Sequence, residues 1–229
     1  RSVFTIHNIE YQGKYSFSIL GDVFELGAEQ YTLMQYDGCI NLMKGAIVCA
    51  NEVSTVSPRY AQEICGAEHG QGLDPVLREN AGKLCGILNG IDYQYYNPAK
   101  DKAIAANYSW RTLDRKYQNK TALQQELELQ EAPLIAVISR LAAHKGLDLI
   151  SEMIYRLLAE QDVQFVVLGK GEGSYENFFR ELSDTFPGKA KALITYDREL
   201  SKRIYAAADI FLMPSRSEPC GLSQMIASR

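Results

Sequence analysis

The sequence is poor in the residues that build metal centres and disulfide frameworks. Its five cysteines (Cys39, Cys49, Cys65, Cys85, Cys220) lie singly, without C-x-x-C spacing, and only three histidines are present to join them. Neither a zinc site nor a disulfide-stapled fold is expected. Cys39, Cys49 and Cys85 have apolar neighbours and are expected to be buried thiols, whereas Cys220 sits in a charged loop. Long apolar runs are missing as well. The longest, such as Ile210 to Pro214, are strand-sized, well short of the roughly 18 residues of a membrane helix. Nor is there an excess of positive charge. A formal net charge of -4 and a pI near 5.5 argue against a protein that grips nucleic acid or an anionic membrane, so any phosphate binding must be local. No initiator Met or signal-like segment precedes Val3, and the chain stops inside a helical pattern at Ser228-Arg229. A cytoplasmic location is expected, and both ends are expected to be those of a fragment.

With 229 residues, 46% of them hydrophobic, the chain can bury a sizeable core. From Ala132 onward strand-like and helix-like segments alternate: APLIAVIS, LDLISEMIYRLLAEQ, VQFVVLG, SYENFFRELSDTF, AKALITY, RELSKRIYAAA, DIFLMPS, GLSQMIA. Near-continuous apolar strands separated by helices predict a parallel sheet covered on both faces, in a Rossmann-like arrangement. The first half is less regular. Val3 to Ile6 and Glu52 to Val56 read as strands, Asn41 to Ala50 as an amphipathic helix, and Lys83 to Asn89 as a further strand closing in an Asn89-Gly90 turn. Ser57 is a plausible N-cap with Pro58 at the first helical position. A polar stretch, Asn97 to Asn119, precedes a helix over Thr121 to Leu129, and the domain junction is placed between Asn89 and Asn119. No internal repeat is seen.

Two loops carry most of the chemistry. In VISRLAAHKGLDLI (137–150), Arg140 and Lys145 flank the passage from a strand's carboxyl end to a helix. A guanidinium fork and a mobile ammonium there suit phosphate oxygens, though two solvated surface charges would look the same. In PSRSEPCGLSQMIA (214–227), Glu218 can accept hydrogen bonds from sugar hydroxyls. The backbone N–H groups of Cys220, Gly221 and Leu222 would face the same space; the plainer alternative is a helix-initiating Glu. Ligands of open α/β sheets bind at the carboxyl ends of the strands, so both loops can serve one anionic, hydroxyl-rich ligand such as a nucleotide sugar. The run Gly169-Lys170-Gly171-Glu172-Gly173 lacks the G-x-G-x-x-G spacing of dinucleotide sites and is read as a flexible strand-to-helix turn near the ligand mouth. His7 ends the first strand as either a structural residue or a polar group at a cleft. Tyr196, closing ALITY, is either an aromatic that stacks on a base or an ordinary boundary residue.

Taken in order, TIHNIEYQG (5–13), NLMKGAIVCANEVSTVSPRYAQEI (41–64), GILNGIDYQYYNP (86–98) and the two loops resemble bacterial glycogen synthases and plant starch synthases over nearly the whole chain. The resemblance implies an α/β fold of GT-B type, two Rossmann-like domains with a cleft between them, both incomplete here. Residues 1–88 would be the C-terminal part of the acceptor-side domain and 89–229 the N-terminal part of the nucleotide-sugar domain. It implies transfer of glucose from ADP-glucose to the non-reducing end of an α-1,4-glucan with retention of configuration, with neither cofactor nor metal and without nucleic-acid or membrane partners. A plant member would reside in the plastid. Carried over by motif, Arg140 and Lys145 would bind the diphosphate and offset charge on the leaving ADP. Glu218, with the backbone of Cys220, Gly221 and Leu222, would hold the donor glucose. His7 would present its backbone carbonyl to the anomeric carbon, Asn89 would face the donor sugar, and Tyr196 would stack on adenine.

The departures are specific. The family's Lys-x-Gly-Gly-Leu loop and later Thr-Gly-Gly motif are absent from this sequence, so the chain on its own is expected to be inactive or nearly so. His144 stands where many relatives carry Gln, and Thr195 where Gly is frequent. Two rival readings remain. One is a GT-B transferase using a UDP-sugar; such enzymes commonly carry a second Glu seven residues after the first, where this chain has Met225, and lack TIHNIEYQG. The other is a non-catalytic glucan-binding module built on Trp110 with Tyr93, Tyr95 and Tyr96, the tyrosines alternatively packing at the domain junction.

Overall fold

Alternation of short apolar runs with capped helices produces ten strands and ten helices in the structure, a computed structural model describing residues 1–229. The strands are β1 (Val3–Ile6), β2 (Lys14–Tyr15), β3 (Gln35–Tyr36), β4 (Cys39–Asn41), β5 (Glu52–Thr55), β6 (Leu84–Gly86), β7 (Leu134–Ile138), β8 (Gln164–Leu168), β9 (Ala190–Leu193) and β10 (Ile210–Phe211). The helices are α1 (Ile19–Asp22), α2 (Tyr31–Met34), α3 (Leu42–Cys49), α4 (Pro58–Glu63), α5 (Asp74–Glu79), α6 (Lys116–Glu126), α7 (Leu147–Glu160), α8 (Gly173–Thr185), α9 (Arg198–Ala207) and α10 (Leu222–Ser228). They divide between two units, Arg1–Asn89 and Gly90–Arg229.

In the first unit β1, β5 and β6 form a parallel sheet in the order β1-β5-β6, and β2, β4 and β3 form a small antiparallel one. Two of its helices, α3 and α4, begin at side-chain caps. Asn41 accepts from Lys44 N at 2.9 Å and is itself held by Gln12 at 2.7 Å, while Ser57 accepts from Tyr60 N at 3.0 Å with Pro58 at the first position. Each such cap contributes about 1 kcal/mol. Tyr60, buried in α4, accepts from Ile9 N at 3.1 Å and so anchors the loop that leaves β1 through His7. Burial and this backbone contact act oppositely on the Tyr60 hydroxyl, and burial prevails, raising its pKa.

The second unit is a parallel sheet in the order β10-β7-β8-β9, each strand joined to the next by a helix. Alternate residues of the central strands feed two cores. Ile135 and Val137 of β7 and Phe165 and Val167 of β8 meet Leu147, Ile150, Ile154 and Phe179 on one face. Leu134, Ala136, Val166 and Leu168 meet Leu123, Leu200 and Ile204 on the other. Both faces are covered, which is why these strands read as unbroken apolar runs rather than alternating ones.

Three local expectations are corrected. The strand expected over Lys83 to Asn89 pairs only at Leu84–Gly86; beyond it the backbone follows the end of β5 through Ile87 N to Thr55 O (2.8 Å) and Asn89 N to Val56 O (3.3 Å). The helix expected over Thr121 to Leu129 begins earlier and stops at Glu126, with Glu128 at φ 57. Its start is fixed by a long-range contact, because the Lys116 ammonium donates to Ala206 O at 2.8 Å and Ala208 O at 2.7 Å at the carbonyl end of α9. Finally, Cys49 and Cys85 are exposed and Cys39 is half-buried. Cys49 closes α3 and Cys85 alternates outward on β6, so their apolar sequence neighbours do not cover them.

Candidate functional site

The carboxyl ends of β7, β8, β9 and β10 share one edge of the second unit's sheet, and the loops leaving them are knitted together by backbone contacts. Beyond β7, Leu141 N donates to Lys170 O (2.9 Å) and Leu141 O accepts from Glu172 N (2.7 Å). The Glu172 carboxylate accepts from Ala143 N at 3.0 Å. A Cβ on Gly169 would stand 1.9 Å from Ser139 O, so only glycine lets the two backbones lie this close. The 169–173 segment, expected as a flexible turn, is therefore a packed buttress beneath the loop that carries Arg140.

The loop after β10 is fastened to the same structure. Gly146 sits at φ 67 with Pro214 O 2.1 Å from where a Cβ would be, a position closed to any L side chain. Arg216 N and Ser217 N donate to His144 O at 2.9 and 3.3 Å. The Arg216 guanidinium pairs with Asp148 in the first turn of α7 and holds that carboxyl below the usual carboxylate range. These contacts deliver Lys145 Nζ to Glu218 Oε2 at 2.7 Å, and the same oxygen accepts from Ser215 Oγ at 3.1 Å. The two side chains are 14% and 26% exposed, half-sheltered from solvent screening. Arg140 is exposed, and its Nη2 lies 3.3 Å from His144 Nε2.

Arg140 also lines a cleft of about 640 Å³ at this sheet edge, together with Ser139, Gly169, Lys170, Tyr196 and Arg198. Tyr95, Tyr96, Tyr205 and Ser223 are also in its wall. The volume is that of a ligand-sized site. Arg140, Lys170 and Arg198 outnumber the one lining carboxylate, Asp197, which caps α9 by accepting from Leu200 N at 2.9 Å, so the cleft is cationic on balance. Tyr196 is 78% exposed, and its hydroxyl accepts from Arg198 Nε at 3.1 Å, which steadies a ring otherwise open to the cleft. Burial pushes the Tyr205 hydroxyl up to about 12. The arrangement suits an anion at the loops and a flat apolar group farther along the wall.

Of the residues expected from sequence, Arg140, Lys145, Glu218, Cys220, Gly221, Leu222 and Tyr196 all lie on loops or helix starts at this edge. Gly221, at φ 83, precedes Leu222, the first residue of α10. His7 and Asn89 belong to the first unit, where His7 is exposed just beyond β1 and Asn89 is half-buried at the unit's end. Sequence reasoning missed Arg198 and Tyr205, read Lys170 only as part of a turn near the ligand mouth, and left Tyr95 and Tyr96 between a glucan-binding platform and packing at the domain junction. Their only signal was position, in or near segments that leave a strand's carboxyl end or precede β7. No group of three or more His, Cys, Asp or Glu side chains is placed to hold a metal ion, and no helix is long and apolar enough to cross a membrane.

Two family models match the chain: "Starch synthase catalytic domain" over residues 1–79 and "Glycosyl transferases group 1" over 119–225. The chain is 50% identical to the glycogen synthase of Ligilactobacillus salivarius over 235 residues, covering 100% of this chain and 49% of that protein. The chain belongs to the glycogen and starch synthase family. Another member, the glycogen synthase of Lactiplantibacillus plantarum, is 50% identical over 232 residues, 99% of this chain and 48% of that one. Among solved structures, the catalytic domain of starch synthase IV from Arabidopsis thaliana bound to ADP and acarbose superposes with a TM-score of 0.90. It is 41% identical, over 98% of this chain and 48% of that one. The fold is accordingly that of GT-B glycosyltransferases, with Rossmann-like units in each half, and the chain spans about half the length of the curated synthases it matches.

Proposed function

We propose that this chain carries the donor-binding side of a glycogen or starch synthase, which transfers glucose from ADP-glucose to the non-reducing end of an α-1,4-glucan with retention of configuration. The observation that carries the reading is the joining of two loops at one sheet edge, with Arg140 in the wall of the cleft and Lys145 paired to Glu218 beside it. The ADP and acarbose bound by the Arabidopsis relative support the choice of a nucleotide donor and a glucan acceptor.

In this reading Arg140 grips the diphosphate through its planar fork, and Lys145 adds a point charge whose position Glu218 restrains. As the bond between the anomeric carbon and the β-phosphate oxygen breaks, negative charge grows on ADP, and both cations stabilise that charge more than they stabilise the ground state. Glu218, with the main-chain N–H groups of Cys220, Gly221 and Leu222, holds the glucose hydroxyls so that the acceptor hydroxyl reaches the anomeric carbon on the face that ADP leaves, as retention requires, its proton passing to the departing phosphate oxygen. Tyr196 stacks on adenine. From the first unit, His7 offers its backbone carbonyl to the positive charge developing at the anomeric carbon, and Asn89 faces the sugar. The work is performed by these groups without a metal, at a cytoplasmic location.

Calorimetric titration of the chain with ADP-glucose and with UDP-glucose, alongside an Arg140→Ala variant, tests the reading. Selective ADP-glucose binding that is lost in the variant is the expected result. Preference for UDP-glucose would overturn the donor assignment in favour of a UDP-sugar transferase. Glucan affinity that survives Arg140→Ala and Glu218→Gln, with no nucleotide binding, would favour a glucan-binding module.

A further inference from the structure

His144 takes part in the site through two different groups. Its backbone carbonyl receives Arg216 N and Ser217 N, which fastens the two loops to each other. Its half-buried ring lies with Nε2 3.3 Å from Arg140 Nη2. The chemistry of that contact has one solution. A guanidinium has only donors, so Nε2 must accept, and the imidazole must be neutral with any proton on Nδ1. Arg140 is an exposed residue with several rotatable bonds, and an acceptor from the same turn is one restraint on the directions its fork can take.

We propose that His144 is a positioning residue for the donor diphosphate: its neutral ring holds Arg140 in the orientation that grips the phosphate oxygens. This rests on the donor-site reading above. The charged groups around the turn are Arg140 and Lys145 on its own loop, Glu172 from the β8–α8 loop, and Arg216 and Glu218 from the loop after β10. Protonating the ring turns an acceptor into a second cation facing a guanidinium. The contact is then lost, Arg140 swings away, and donor affinity falls with it. Glutamine at this position offers a carbonyl oxygen in place of Nε2 and keeps the acceptor at every pH.

The test is ADP titration of the full chain, followed by calorimetry, with His144→Ala, His144→Gln, Arg140→Ala and the double variant Arg140→Ala/His144→Ala, each checked for folding by circular dichroism. His144→Ala is expected to weaken ADP binding on the order of tenfold, the worth of one charge-assisted contact. His144→Gln should stay within about twofold of the unsubstituted chain, and the double variant should bind no more weakly than Arg140→Ala alone, because His144 acts through Arg140. Lowering the pH from about 8 to about 5.5, across the ordinary imidazole range, should weaken ADP binding in the unsubstituted chain more than in His144→Gln. Arg140-dependent binding that is indifferent to His144→Ala, or losses that simply add in the double variant, would overturn this inference while leaving the donor site standing. No ADP binding by the unsubstituted chain would overturn both.

Discussion

Replacing Gly169 with alanine tests whether the buttress under the Arg140 loop matters. Gly169 has no positive φ to protect, so the penalty is purely one of space. The new methyl carbon would stand 1.9 Å from Ser139 O, and real contacts of this kind stay beyond 3.0 Å, so the backbone immediately before Arg140 must retreat by more than about 1 Å. The opposing atom is a carbonyl tied to the sheet edge by Ser139 N donating to Leu168 O at 3.1 Å, not the tip of a flexible side chain, and it cannot yield cheaply. Overpacking of this sort costs about 1–3 kcal/mol, which lowers the melting temperature of a domain of this size by roughly 3–10 °C. In the proposed donor site, a 1 Å displacement of Arg140 weakens ligand capture by roughly one to two orders of magnitude. Gly173→Ala, four residues on in the same glycine-rich run, is the control. Nothing lies within 4 Å of its would-be Cβ, and it is the first residue of α8, so it should be neutral or slightly stabilising. Thermal unfolding by circular dichroism and ADP titration read both effects. Equal melting temperatures and equal ADP affinities for Gly169→Ala and Gly173→Ala would refute the reasoning.

Four further outcomes follow from the same geometry. Lys145→Met should weaken ADP binding at least tenfold by titration, whereas Glu218→Gln should disturb folding little, because an amide oxygen still accepts from Lys145 and Ser215; in that variant it is affinity for the glucose part of the donor that should fall, seen as a narrowed gap between ADP-glucose and ADP. Arg216 depresses the folded-state pKa of Asp148, so the stability from this pair is present above the ordinary carboxylate pKa near ~4 and is lost as pH falls below it; acid unfolding followed by fluorescence should be less steep in Asp148→Asn. The Tyr205 hydroxyl, raised by burial to about 12, has the opposite sign: its contribution is complete below the unfolded phenol value of ~10 and is lost between there and about 12, so Tyr205→Phe should unfold less steeply in alkali.

Much of the fold was legible because the signals that build it are short-range. The apolar runs that became β7 and β8 are continuous because both faces of the sheet are covered, and Asn41 and Ser57-Pro58 start helices through bonds only three residues long. The charged loops were legible for a similar reason, since Arg140, Lys145 and Glu218 follow strands whose carboxyl ends hold ligands in open α/β sheets. Failures of the reading share the opposite character. Burial of Cys49 and Cys85 was inferred from apolar neighbours in sequence, yet exposure depends on which face of a helix or strand a residue takes and on what packs there. The start of α6 is set by carbonyls some ninety residues away, at Ala206 and Ala208.

The amino-acid sequence by itself determined the alternation of strands and helices, the caps, the loops bearing Arg140, Lys145 and Glu218, and the family to which those motifs belong. Only the tertiary structure decided that Gly169 supports the Arg140 loop by having no side chain, that Lys145 closes on Glu218, and that the His144 ring lies against the Arg140 guanidinium. Periodicity and capping act within a few residues and leave their mark in the string, whereas contacts between loops exist only after the sheet has brought its strand ends to a common edge.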